Sequence, residues 1–340
     1  MAKERIIPFD FIRAICAIGI VVFHFFCHTS NRDFLLFYSN ANCDWGSVIV
    51  NIFFLLSGAA IYYNNTTITS LKKFYYKRWK SLFPMFYISF FIFFLFRIIN
   101  NHNIFYGGNP LKLLLSLIGL DGYTLEIIPN YYILGEWFLG AIIILYVLYP
   151  IVLKAFNKAQ YATTIVCIAL FVLCLFVDFT GISTGRKVVS CLISFELGMI
   201  IIKNKQLLTN KPVVIVSFII SVIICLIKLP INTVILDHIL SLALFFIMYY
   251  IGNYVMKSKY LNKSILFVSK ISYPIFLLQH LIILYLLKIY NPQEPVMIIL
   301  WMIVTIAVTI LSAKILSLIT NLILKSKWYL KLENKFLKYN

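Results

Sequence analysis

Charge is scarce in this chain. Of its 340 residues only 12% are Asp, Glu, Lys or Arg, against about 25% in an average soluble domain. The shortage is lopsided, with 12 acidic residues against 30 basic ones. Hydrophobic residues make up 62% of the chain and the mean hydropathy is +0.93. So few ionic groups cannot clothe a water-soluble globule of this size. The composition excludes that class and predicts an integral membrane protein.

Other patterns are missing too. The seven cysteines, Cys16, Cys27, Cys43, Cys167, Cys174, Cys191 and Cys225, show no CxxC or metal-type spacing. Most fall inside apolar segments, so they read as small core residues rather than disulfides or ligands. No internal repeat is visible and no soluble domain is appended. No small-residue cleavage site follows the first apolar segment. His28-Thr29-Ser30-Asn31 follows instead, so the segment is expected to stay as an uncleaved first helix. The net charge of +18 is no nucleic-acid footprint, because the positive residues cluster in short connections between apolar segments.

Ten apolar segments are long enough to suggest an all-α polytopic membrane protein of about ten transmembrane helices. They run near 9–29, 45–64, 81–99, 137–157, 161–179, 187–203, 212–229, 236–255, 269–290 and 295–324. With the N-terminus cytoplasmic, most Lys and Arg fall on that side, from Lys3 and Arg5 through Lys203, Lys205 and Lys257 to the tail. Few, such as Arg32, Arg97 and Arg186, fall on the other. The alternation predicts a multi-pass protein of the cell membrane with both termini cytoplasmic. Residues 1–324 form the transmembrane domain, with one long outer loop at about 100–136. Residues 325–340 form a basic cytoplasmic tail expected to rest on anionic lipid. The stretch Leu111 to Leu120 is too short to span and suggests a re-entrant or interfacial helix.

Arg13 and His24 both sit in the first segment, where an ionisable group costs several kcal/mol unless it lines a wet cavity or meets a partner. Eleven positions return a helix to within roughly 20° of the same face. One face therefore carries a fixed cation near one end and a titratable base deeper in. A neutral imidazole there can take a proton from an alcohol, and the guanidinium suits a phosphate or carboxylate. His24 and His28 stand four residues apart, but no acidic third ligand lies near them in sequence, so no metal is expected.

Further polar positions interrupt the apolar pattern. Glu196 is mid-segment and needs a partner, with Arg13 or a histidine as the options. Gln279-His280 lies near mid-depth after a break at Pro274, and Glu136-Trp137 stands at the mouth of the fourth segment. Ser57-Gly58 most simply permits close helix packing. Residues 72–80, with Lys72, Lys73, Lys77, Arg78, Trp79 and Lys80, read as a basic cytoplasmic loop. Topology explains most of its charge, while a phosphate clamp is the functional alternative.

In order along the chain these residues resemble the acyltransferase-3 family of membrane O-acyltransferases. Phe9-Asp10-Phe11-Ile12-Arg13-Ala14 through His24 resembles the family's opening Arg-x10-His element. Phe53-Phe54-Leu55-Leu56-Ser57-Gly58, the basic stretch Phe74 to Pro84, Trp137-Phe138-Leu139 with Tyr149-Pro150, and Ser272-Tyr273-Pro274 through His280 follow. The chain departs from the pattern at Ser81 and Ile142, where Arg and an acidic residue are usual. It is nearer the short, polysaccharide-modifying branch.

The resemblance implies an acyl-CoA-dependent O-acyltransferase, acetyl-CoA being the expected donor and a surface polysaccharide or its lipid-linked precursor the acceptor. It implies that His24 is catalytic with Arg13 beside it, and that Lys73, Lys77, Arg78 and Lys80 contact CoA phosphates. Ser57, Glu136, Trp137, Glu196, Tyr273 and His280 are the remaining candidates. The expected partners are glycan and membrane lipid, not nucleic acid, with a homo-oligomer left open. The runner-up is a transporter or flippase for a glycan or small anion, using Arg13, Glu196, His24 and His280.

Overall fold

A computed structural model describes residues 4–29, 38–178 and 180–338. Lys3, Ser30, Asn31, Arg32 and the last two tail residues lie outside the described residues.

All ten expected segments are helical. In chain order the helices are α1 (Ile7–His28), α2 (Trp45–Asn64), α3 (Leu71–Asn101), α4 (Leu113–Leu117), α5 (Asp121–Thr124), α6 (Glu136–Lys158) and α7 (Gln160–Phe176). Then come α8 (Val188–Lys203), α9 (Lys211–Leu226), α10 (Thr233–Val255), α11 (Lys259–Lys270), α12 (Ser272–Ile289), α13 (Pro295–Leu324) and α14 (Lys327–Lys338). Among the described residues the only β pairing is an isolated bridge between Ser39 and Asp44. The protein is an all-α polytopic membrane protein.

Seven of these helices, α1, α2, α3, α6, α10, α12 and α13, are long and apolar enough to cross a membrane. The expected ten thus divides. The other three, α7, α8 and α9, have only 16 or 17 residues, short of the roughly 20 that a bilayer core demands.

The centre of the bundle is α1 and α2. Helix α1 packs on α2, α10, α11 and α12, and α2 lies along α8. Two glycines set that last contact. A Cβ on Gly58 would collide with the Phe195 carbonyl, and one on Gly198 with the Leu55 carbonyl. The backbones therefore touch, as small residues permit between membrane helices. Peripheral helices α3, α7, α9 and α13 turn Phe91, Ile165, Phe218 and Leu311 outward, as a lipid-facing surface requires.

Three local expectations are corrected. The basic stretch 72–80 is no loop but the opening of α3, where the Ser70 hydroxyl accepts from the Lys73 amide at 3.3 Å. Pro274 makes no kink inside a span. It sits in the first turn of α12, where a missing N–H costs nothing, and the break falls at Ile271 between α11 and α12. The stretch from Leu111 to Leu120 forms only a 3-10 turn and the five-residue α4.

The loop between α3 and α6 is nonetheless anchored at a few buried points. Tyr131 is fully buried with its hydroxyl on the Gly108 carbonyl at 2.7 Å, and Asn130 Nδ2 donates to the Asp121 carbonyl at 2.8 Å. Burial pushes the Asp121 carboxyl up to about 6. The tail helix α14 docks on the start of α3. There Glu333 accepts from Lys80 Nζ at 2.6 and 2.7 Å, and the Tyr329 and Tyr76 hydroxyls meet at 3.1 Å.

Candidate active site

Two cavities lie end to end along α1 and α2. The proximal one is near the end where α1 begins, and the distal one is near the end where α1 finishes. They divide the two first-helix candidates between them.

His24 faces the distal cavity, which measures about 840 Å³. Two other elements bring partners to it. Helix α12 supplies His280, whose ring centroid lies 5.3 Å from that of His24. Helix α6 supplies Glu136 from its first position, entered through Gly135 at φ +94° with Glu136 itself at φ +45°. Positive φ at a residue other than glycine is strained and persists only where packing enforces it. Here it delivers a carboxylate into the wall of the cavity. Glu136 Oε1 lies 2.6 Å from His280 Nδ1, a short charge-assisted hydrogen bond, and 3.7 Å from His24 Nε2.

The rest of the distal wall is polar and aromatic. Trp137 lies under the guanidinium of Arg186 at 5.6 Å, and Arg186 pairs with Glu126 at 2.6 Å. Asp44 caps α2 by accepting from the Ser47 amide at 2.8 Å. Tyr132, from the loop, joins the wall; its burial, with Glu136 adding to the effect, holds the phenol well above its usual range, so it is a proton donor throughout. Four of the twelve acidic residues, Asp44, Glu126, Glu136 and Asp237, line this one cavity.

Arg13 is at the other end. Its guanidinium lies 3.3 Å from Asp10 Oδ1 and 3.4 Å from the Ser269 hydroxyl. Asp10 is 1% exposed and is also gripped by Arg5 through two bonds of 2.7 Å. Ser269 donates to the same carboxylate at 2.7 Å. A buried carboxylate with this many donors has its charge satisfied. It fixes Arg13 against the wall of the proximal cavity, about 260 Å³ in volume, together with Ser57, Asn64, Arg78 and Tyr146. Phe53 also lines that cavity, and its ring meets Phe138 at 5.9 Å. Val50 and Asn51, one turn along α2, line the distal cavity. The two cavities thus follow one another along α2, with Phe53 at the near end of the proximal one.

The remaining candidates distribute as follows. Among the basic residues of α3, Arg78 faces the proximal cavity and stacks 5.7 Å over Tyr146. Lys73 and Lys77 are exposed, and Lys80 is engaged by Glu333. Ser57 joins the proximal cavity while its neighbour Gly58 makes the helix contact. Glu196 meets neither Arg13 nor a histidine. It accepts from the Thr164 hydroxyl at 2.8 Å, between α7 and α8. Tyr273 donates to the Leu82 carbonyl at 3.1 Å and ties α12 to α3. Gln279 is fully buried beside His280 without a hydrogen-bond partner among the described residues.

Sequence reasoning missed three residues. Asp10 is the carboxylate that Arg13 requires, three positions away on the same helix, and that spacing was readable. Asp237 lines the distal cavity. Its neighbour His238 hydrogen-bonds the Ser194 hydroxyl at 2.8 Å, and Ser194 reaches Asn51 at 3.4 Å. Adjacent ionisable residues in an apolar segment were the available signal. The histidines also gather more closely than expected. Ring nitrogens of His24, His28 and His280 lie within 4.8 Å of one another, so α12 provides the third ligand that is lacking near His24 in sequence.

A membrane-embedded helical bundle, with a cationic cavity at one end and a histidine–carboxylate cavity at the other, is the class this geometry defines. A family model described as an acyltransferase domain matches residues 6–316, and the chain belongs to that acyltransferase-3 family. Searches of curated proteins and of solved structures return no match. The protein is a membrane acyltransferase.

Proposed function

We propose that the protein moves an acyl group, acetyl first among the options, from acyl-CoA to a hydroxyl of a cell-surface polysaccharide or its lipid-linked precursor. The observation that carries this reading is the pairing of cavities. Arg13 and Arg78 stand in one, and His24, Glu136 and His280 in the other. The termini and the proximal cavity lie on the cytoplasmic side in this reading, because the basic residues do. The polar and aromatic lining of the distal cavity suits a sugar, whose hydroxyls want hydrogen bonds and whose ring faces pack on Trp and Tyr.

The thioester enters past Arg78 and Arg13 and reaches Phe53. A sugar hydroxyl in the distal cavity gives its proton to His24 as its oxygen attacks the thioester carbonyl. The C–S bond breaks, and the proton passes to the leaving CoA thiolate. Glu136 holds the His280 imidazole in orientation and, 3.7 Å from His24, offsets the charge of the protonated ring. The hydrogen bond that Glu136 accepts from His280 Nδ1, which leaves the other ring nitrogen free to act, favours a second assignment in which His280 is the base.

Deleting the gene and complementing with wild type, His24→Ala or His280→Ala tests this, with ester-linked acyl groups quantified on purified surface polysaccharide. The reading expects esters with wild type and none with His24→Ala at equal protein level. Loss with His280→Ala alone selects the second assignment. Esters unaffected by the deletion contradict both.

A further inference from the structure

The proximal cavity is too small for a whole CoA, and it does not end at Arg13. A second cavity of about 350 Å³ shares Arg13, Ala60 and Asn64 with it. A third, of about 360 Å³, shares Glu4, Arg5, Ile6 and Tyr63 with the second. The three lie in a row, each sharing wall residues with the next, from the Ser57 side of α2 along the last turns of that helix. The outer basin of the row is built from the segment before α1, the α8–α9 connection and the end of α10.

That basin is basic. Lys205 stands 4.3 Å over the ring of Tyr63, and Lys257 stands 5.2 Å over Tyr254. Neither lysine makes an ion pair among the described residues. Arg5 spends part of its fork on Asp10 and keeps further N–H groups, and its side chain is 56% exposed. Among the described residues of the wall, Glu4 is the acidic one opposing these three cations. The rings of Tyr63 and Tyr249 add flat apolar surface beside the charge. Phosphates next to a planar base are the chemistry such a wall accepts.

The α3 stretch offers a poorer seat. Lys80 is neutralised by Glu333, and only Arg78 reaches the row of cavities. Resting on the acyl-CoA reading above, we infer that the phosphorylated nucleotide end of the donor seats in the basin of Arg5, Lys205 and Lys257. Its pantetheine arm runs past Asn64 to Arg13 and Arg78. The phosphate chemistry is shared with anionic lipid headgroups, so the test separates the two sources.

The detergent-purified full chain is titrated with CoA, with dephospho-CoA and with pantetheine, as wild type, as Lys205→Gln/Lys257→Gln and as Arg78→Gln. The expected result is a CoA Kd raised at least tenfold in the double variant with pantetheine binding unchanged. Arg78→Gln, at the thioester end, weakens both. A double variant that binds CoA as wild type does, or that loses CoA and pantetheine equally, overturns the placement. So does a double variant that loses binding to phosphatidylglycerol vesicles while its CoA affinity stays put, which assigns the basin to lipid. Wild type that binds neither CoA nor dephospho-CoA defeats the acyl-CoA reading itself, a different outcome from a misplaced nucleotide.

Discussion

Glu136 Oε1 stands 2.6 Å from His280 Nδ1 and 3.7 Å from His24 Nε2, so one carboxylate from α6 joins histidines of α1 and α12. The shorter distance is a hydrogen bond and the longer is not. His280 is therefore held by the carboxylate, while His24 makes no hydrogen bond to it.

In the proposed reaction this arrangement gives Glu136 a positioning role. Glu136→Gln keeps the size of the side chain and removes the charge. The expected outcome is a loss of about 10- to 100-fold in kcat, a range typical of outer-shell partners, with the KM for the acyl donor unchanged if the donor binds in the other cavity as proposed. A shifted pH profile in the residual activity separates this role from a structural one. An unchanged kcat contradicts it.

The contact between α2 and α8 is backbone on backbone at Gly58 and Gly198. Gly58→Ala forces Cβ into the Phe195 carbonyl, and overpacking of this kind costs about 1–3 kcal/mol or more. Thermal unfolding in detergent is expected several degrees lower than wild type, with the shift lost in a control such as Gly185→Ala, where nothing lies within 4 Å of the added carbon. Equal melting for Gly58→Ala and wild type contradicts the close crossing.

The loop over the distal cavity carries its own pH response. The Asp121 carboxyl is raised to about 6 from 3.8, so the folded loop holds its proton where the unfolded one has lost it. The contribution of Asp121 is full below about 3.8, declines as pH rises to about 6, and is absent above that. Amide exchange in the loop is therefore expected to quicken between pH 4 and pH 6, and Asp121→Asn is expected to flatten that change. Identical exchange in the two proteins contradicts the assignment.

The three imidazoles raise the question of a metal. Their nitrogens spread over as much as 4.8 Å, whereas zinc–nitrogen bonds of about 2.1 Å hold tetrahedral ligands at about 3.4 Å. The Glu136–His280 hydrogen bond already gives the cluster an organising partner. Chelation is expected to leave acyl transfer unchanged. Loss on chelation, restored by zinc, contradicts this.

Much of this site was legible in the sequence. Arg13, His24 and His280 interrupt apolar segments, and ionic groups there are costly enough to announce themselves. The motif order carried the family. What could not be read was which partners meet. Glu136 stands 112 positions from His24 and reaches it only through the turn at Gly135, whose left-handed backbone leaves no periodic trace. Glu196, mid-segment, was the carboxylate expected to meet Arg13 or a histidine, yet α8 turns it toward Thr164. Within the basic stretch the inward-facing cation was not readable, because charge density does not reveal direction. In the helix only Arg78 faces inward, and Glu333, more than 250 residues away, takes Lys80. Of the residues named for a transport pathway, Arg13, His24 and His280 line the two cavities and Glu196 lines neither.

The most direct test puts the two cavities to work at once. Purified protein is sealed in vesicles with labelled acetyl-CoA on the Arg13 side and the polysaccharide acceptor on the other. The account predicts labelled ester on the acceptor with wild type and a loss of at least 100-fold with His24→Ala, while CoA binding survives. Ester formed by His24→Ala at the wild-type rate would contradict it.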